Sequence, residues 1–327
     1  KIVADFIHHQ DQSEEIDVDL SIENITDSQL QMIFAICHPI IPLEAQIGLA
    51  LRILCGFGID EIAEAFLTNK ETINKRLFRA KEKLRSENVK IEMPNTDELH
   101  TRLEAVLSIL YLLFNEGYHS SSQNSHVRKE LCLEAMRLTY FLIENKTTNT
   151  PIVNALMALM CFHSSRFDAR NSQAGEPILY DDQDKNLWST ELIEKGNYFL
   201  IESAKGQKIS KYHLEASIAY WHCTKIENAG KWENILQLYN QLLQIEYSPI
   251  TALNRTYALS KVSGKEKAIR EALKLGLSES HFYHSLMGNL YIDIDNKKAT
   301  EHLEIALNLA KSHADKSTIK KHLNKIK

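Results

Sequence analysis

The stretch IDEIAEAFLTNKETINKRLFRAKEKLR, residues 59–85, decides how the chain is read. Asp60 stands where a helix N-cap is expected. Ile62, Ala63, Phe66 and Leu67 then fall on one face of a short helix. Thr68-Asn69 supplies turn residues, and a second helix is expected from Lys70 to Arg85. Its inward face is Ile73, Leu77, Ala80 and Leu84, at helical spacing. Two short helices joined by a tight turn, the second one basic, form a helix-turn-helix, whose second helix enters the major groove of DNA.

Working outward, Asp27 or Ser28 is a candidate N-cap for a helix through Leu30, Ile33, Phe34 and Cys37. His38-Pro39 ends it, because proline disfavours helix in the residue before it. Pro42 opens another helix, Leu43 to Leu54, closed by Gly56 and Gly58. Residues 28–90 thus read as a four-helix domain, and residues 1–27 as an acidic linker. The charge is uneven. Residues 1–30 hold eight acidic side chains against Lys1, whereas residues 70–85 hold seven basic ones against Glu71 and Glu82. That contrast confines nucleic-acid binding to one small region.

Beyond Pro94-Asn95 a broad apolar stripe begins: Leu99, Leu103, Val106, Leu107, Leu110, Leu113 and Phe114. Gly117 is a plausible helix stop and Ser120 to Ser125 a loop. Further helices are expected at about 126–145, 151–169, 189–204 and 211–226, with an irregular stretch at 171–185. The last third repeats with a period of about 34 residues, the period of tetratricopeptide units. Leu253 matches Met287, Tyr257 matches Tyr291, and Ile235, Ile269 and Leu303 line up. So do Leu238, Ala272 and Ala306, then Tyr239, Leu273 and Leu307, and Gly230 matches Gly264. The expected fold is all-α, with a helical extension over 95–327 (95–205, then repeats over 211–327).

Composition fits this. Gly is 11 and Pro 6 in 327 residues, few enough to favour helix throughout. No apolar run approaches the roughly 20 residues that span a bilayer. No signal peptide is visible, and five scattered cysteines without a C-x-x-C pair fit a reducing, cytoplasmic setting. Lys1 in place of Met suggests a fragment or a processed product.

Residues 30–85 resemble the −35-reading domain, region four, of bacterial extracytoplasmic-function sigma factors. LSILYLLFNEGYHSS (107–121), ELCLEAMRL (130–138), and ALMALMCFHSSRFDAR with DDQDKNLW (within 155–188) resemble the long extension carried by one subgroup of them. The resemblance covers about residues 28–327. It implies transcription initiation, with core RNA polymerase and promoter DNA as partners. Members begin with region two, which binds the polymerase clamp and melts the −10 element. No such domain precedes Lys1, so this chain alone is not expected to open a promoter.

By the same resemblance, Asn74, Lys75, Phe78 and Arg79 fall where the family reads bases, and Thr72, Arg76 and Lys81 where it holds the backbone. Phosphate contacts give affinity without sequence information, whereas base-edge contacts give choice. The acidic linker would thread through polymerase near nascent RNA, or serve only as a solvated tether. The extension would regulate the factor or support it.

No enzyme, cofactor or metal site is expected. Asp181-Asp182-Gln183-Asp184 lacks the glycine and terminal glutamate of a calcium loop. It reads as a surface loop or helix cap that His163, Arg166 and Arg170 fasten to their helix. Asn115-Glu116-Gly117 reads as a structural contact, and His8-His9 has no second pair at ligand spacing. The rival reading is a protein-interaction scaffold whose repeat groove binds a peptide and whose helix-turn-helix only docks.

Overall fold

The computed structural model describes residues 22–66, 68–119, 125–170, 178, 180–224 and 230–326. Among these, regular structure is helical throughout and no strand occurs. The fold is all-α. None of the described helices is long and apolar enough to cross a membrane. Contacts divide the chain into two compact units, Lys1–Asn149 and Thr150–Lys327.

In the first unit, helix α1 spans Ile22–Ile36. It starts before Asp27 and Ser28, earlier than expected. Asp27 and Ser28 therefore lie inside the helix rather than at its cap. The expected linker is helical from Ile22 on, and residues 1–21 lie outside the described residues, as do His8 and His9. Pro42 is the N-cap of α2, Leu43–Leu49, rather than its first residue. Gln46, buried in α2, donates from Nε2 to Ile41 O at 2.8 Å and to His38 O at 3.1 Å, fixing the turn between α1 and α2.

The expected single helix 43–54 then changes character. Ala50–Leu54 form a π-helical turn, and Cys55 N–H closes it on Ala50 O at 3.2 Å. Gly56 follows at φ +74°, a left-handed conformation that glycine adopts without steric cost. Helix α3 spans Ile59–Ala65. Asp60 is already within it, and the capping contact is made instead by Glu61, which accepts from Gly58 N–H at 2.6 Å. Leu67 lies outside the described residues.

Helix α4 spans Lys70–Ser86. Helices α5, Thr96–His119, and α6, Ser125–Glu144, complete the unit. Gly117 does not stop α5. The helix continues because Tyr118 is buried one turn on, its ring stacked on Phe114 with centroids 5.8 Å apart. Residues 120–124 of the expected loop are not described, and Ser125 opens α6. Helices α5 and α6 belong to the same compact unit as the helix-turn-helix.

The second unit opens with α7, Pro151–Ser164, which carries Pro151 in its first turn and is buried over most of its length. The helix expected over 151–169 breaks at Ser165-Arg166, and α8 is a single turn, Phe167–Arg170. After 3₁₀ turns at Tyr180–Asp182 and Lys185–Leu187 come α9, Thr190–Ser203, and α10, Lys211–Cys223. Gly196 faces Phe162 so closely that a Cβ there would sit 2.6 Å from the ring.

The repeats follow as α11 Gly230–Ile245, α12 Pro249–Ser263, α13 Lys265–Leu273, α14 His281–Tyr291, α15 Asn296–Leu309 and α16 His313–Ile326. Most of the aligned repeat positions are core: Leu253, Ile269, Ala272, Met287, Leu303 and Ala306 are all buried. Leu273 departs from the pattern and is 58% exposed at the end of its short helix. Gly264 occupies the turn between α12 and α13 at φ +86°, whereas Gly230 begins α11.

Candidate nucleic-acid interface

Helix α4 is fixed at its start by Asn69, whose side chain accepts from Thr72 N–H at 2.8 Å and satisfies one of the amides a helix start leaves open. Its inner face, Ile73, Leu77 and Ala80, is buried, and Leu84 is half-buried. Gly48 of α2 permits the close fit: a Cβ there would lie 3.0 Å from Leu77 Cδ2. The remaining faces carry the charge.

The seven expected contact residues divide between two flanks of this helix. Thr72, Lys75, Arg76 and Arg79 border a groove of about 620 Å³ whose other wall is Ile40, Ile41, Pro42 and Ala45. At about 100° per residue, Asn74, Phe78 and Lys81 fall on the opposite flank. Lys83 also lines the groove. It is not among the expected contact residues. The signal that finds it is spacing, since Thr72, Arg76, Arg79 and Lys83 follow i, i+4, i+7, i+11. Glu71 and Glu82 lie on the outermost line between the flanks.

Exposure sorts these residues further. Thr72, Asn74, Lys75, Phe78 and Arg79 are exposed, and Arg76 and Lys81 are half-buried. Arg76 has its guanidinium 5.7 Å from the Phe66 ring centroid. Phe78 is 66% exposed, a large apolar ring that packs on little within the unit. Lys75 pairs with Glu71 at 2.5 Å, Arg85 with Glu82 at 2.9 Å, and Lys83 with Glu87 at 2.6 Å. The Lys83 ammonium holds the Glu87 carboxyl below the usual carboxylate range. All these are pairs between exposed side chains, so they yield readily to a polyanion. The pair Lys70–Asp60 joins the first turns of α3 and α4.

In the second unit two cations, Lys231 and Arg166, turn inward. Lys231 is fully buried, and its Nζ donates to Tyr180 Oη at 3.3 Å. Tyr180 Oη in turn donates to His222 O at 2.7 Å. The Arg166 guanidinium lies 5.5 Å from the Tyr180 ring centroid. Burial, with Arg166 and Lys231 nearby, drives the His222 imidazole down to about 3. Backbone bonds fasten the same loop, Ile178 N–H to Arg170 O at 2.7 Å and Ser189 N–H to Ser165 O at 2.8 Å. Arg166 thus meets the loop at the Tyr180 ring. Within the acidic run, Asp184 caps the second 3₁₀ turn, accepting from Asn186 N–H at 2.9 Å. Among the described residues no group of three or more His, Cys, Asp or Glu is placed to hold a metal ion. Glu116 is a half-buried residue inside α5. Burial pushes the Cys55 and Cys161 thiols up to about 12, which leaves them unreactive in character.

Residues 102–204 match a family of unknown function (DUF6596). The chain is 34% identical over 267 residues to the uncharacterized protein R00370 of Rhizobium meliloti (strain 1021), in an alignment that takes in 81% of this chain. It spans 63% of that relative's length. No solved structure matches.

Proposed function

We propose that the first unit reads DNA, as the −35-recognising part of a bacterial alternative sigma factor that brings core RNA polymerase to promoters. The observation that carries the reading is the division of labour along α4. One stripe, Ile73, Leu77 and Ala80, anchors the helix in the core, while Lys75, Phe78 and Arg79 stand exposed. A basic helix held this way can lie in a major groove, with cations on phosphates and a guanidinium on guanine N7 and O6. Phe78 has the size and exposure to pack against a thymine methyl or a sugar. The second unit, with its tetratricopeptide-like repeats, supports or regulates that activity through its own surface.

The test is a random-sequence selection with the 327-residue chain at two salt concentrations, with Arg79→Ala and Lys75→Ala variants in parallel. Enrichment of a motif that disappears in the variants supports promoter reading. Salt-sensitive retention with no motif leaves only a basic surface. Absence of binding at either salt, together with failure to retain core polymerase in a pull-down, sinks the reading in favour of a protein-interaction scaffold that uses the repeat groove.

A further inference from the structure

The segment that matches the family of unknown function begins at Arg102, within the first unit. Two arginines of that segment reach carbonyl groups in the helix-turn-helix half of the unit. Arg102 of α5 donates from Nη2 to Phe34 O of α1 at 2.7 Å. Arg137 of α6 does more. Its Nη1 donates to Gln29 Oε1 of α1 at 2.9 Å, and its Nη2 to Leu54 O at 3.1 Å. Glu134 holds the same guanidinium through Nε at 2.9 Å, and the Phe141 ring lies beneath it with its centroid 5.1 Å away.

Leu54 is the last residue of the π-helical turn, and carbonyls at a helix end lack partners within the helix. The turn leads straight into the Cys55–Gly58 link and then into α3 and α4. From the turn itself, Arg52 Nη1 donates to Phe57 O of the link at 2.8 Å, so the link is closed back on the turn, and its entrance at Leu54 is tied to α6. A π-turn holds one residue more than the α-turn it replaces. Relaxing it would advance the following chain by about 1.5 Å and rotate it by about 100°. Such a change moves every side chain on α4 relative to a bound duplex.

We propose that Arg137 is a positioning residue for DNA reading: it locks the π-turn and so makes the first two helices of the extension part of the reading head. This rests on the DNA-reading function proposed above. A lysine cannot do the same work, because a point charge on a flexible stem does not reproduce a planar fork that spans Glu134, Gln29 and Leu54. The segment from Arg102 to Asn149 is accordingly a splint for the helix-turn-helix.

The experiment uses the 327-residue chain with Arg137→Ala, Arg137→Lys and the milder Gln29→Ala, which keeps the variant set informative should Arg137→Ala not fold. Amide exchange over residues 50–66 is measured without DNA, and affinity is measured for a selected duplex and a scrambled one. Exchange over 50–66 rises in both Arg137 variants. The selected-to-scrambled affinity ratio falls about tenfold, as for loss of one charge-assisted hydrogen bond. The salt slope stays that of the unaltered chain, because no phosphate contact is removed. Unchanged exchange overturns the lock, as does an Arg137→Lys chain that behaves like the original. Faster exchange with an unchanged affinity ratio overturns the role in reading. If the unaltered chain binds no duplex, DNA reading and the functional half of this proposal fall together, and exchange alone decides whether Arg137 holds the turn.

Discussion

Helix α4 of the first unit and the surroundings of Tyr180 in the second use cations in opposite ways. In the first, Lys75 and Arg85 stand 63% and 74% exposed on α4, paired only with acids on their own helix. In the second, Lys231 is fully buried and Arg166 nearly so, both against the Tyr180 ring. An exposed cation keeps its hydration and gives it up only to a ligand, so its energy is available for binding. A buried cation has lost its water already, and its energy is committed to holding the fold. The same residue types therefore mark a candidate binding face in one unit and an internal brace in the other.

The largest effect expected from this contrast is on Lys231. Lys231→Ala removes the donor to Tyr180 Oη and empties the space of a fully buried side chain, and should cost about 3–5 kcal/mol of stability. In a unit of this size that appears as a melting midpoint lower by roughly 10 °C. A midpoint within a degree or two of the original would show that the buried cation does not brace the unit.

Acid should act on the same brace. The neutral form of His222 is the one the fold accommodates, with its imidazole held at about 3 against an ordinary 6.5. The unfolded chain thus binds the extra proton between these two values, so stability is fully present above about pH 6.5 and declines as pH falls toward 3. The slope reaches about 1.4 kcal/mol per pH unit for one such proton. His213 and His302, also lowered by burial, add to it in the same direction. Urea unfolding followed at pH 7, 6 and 5 measures the slope, and a flat profile would contradict the burial of His222.

Packing offers a comparison without charge. Gly288→Ala would place a Cβ about 2.5 Å from Leu303 Cγ, where α14 meets α15. The expected cost is about 1–3 kcal/mol from overpacking, read by the same urea titration.

On the exposed side the prediction reverses. Arg79→Ala should leave the unfolding midpoint within about 0.5 kcal/mol of the original, yet weaken binding to a selected duplex by about 1–3 kcal/mol. Phe78→Ala should be equally silent in stability, because its ring is 66% exposed. A stability loss of 2 kcal/mol in either variant would place that side chain in the core and remove it from the candidate interface.

Much of this was legible in the sequence because it depends on short-range rules. The span of α4 follows from the spacing of Ile73, Leu77 and Ala80 and from the turn residues Thr68-Asn69 before it, and the structure ends the helix one residue from the expected Arg85. The repeat core follows from a period near 34, since each helix pair can bury its apolar face only against its neighbours. The all-α class follows from the same periodicities and from the scarcity of glycine and proline. These are properties of segments, and a segment carries them wherever it packs.

What the tertiary structure alone decided are relations between segments. Periodicity along α4 sorts the candidate residues into two flanks, but only packing shows which flank borders a groove, because the groove's other wall is Ile40 to Ala45. Gly117 reads locally as a stop, yet burial of Tyr118 outweighs the roughly 1 kcal/mol helix penalty of glycine. The π-turn at Ala50–Leu54 has no sequence signature, and its end is tied by Arg137, 83 positions along the chain. Nothing in the residues around Lys231 announces a buried ammonium, because burial is set by what arrives from elsewhere, here Tyr180. Sequence fixes which faces are apolar and where helices start, whereas long-range packing decides which charged side chains reach solvent.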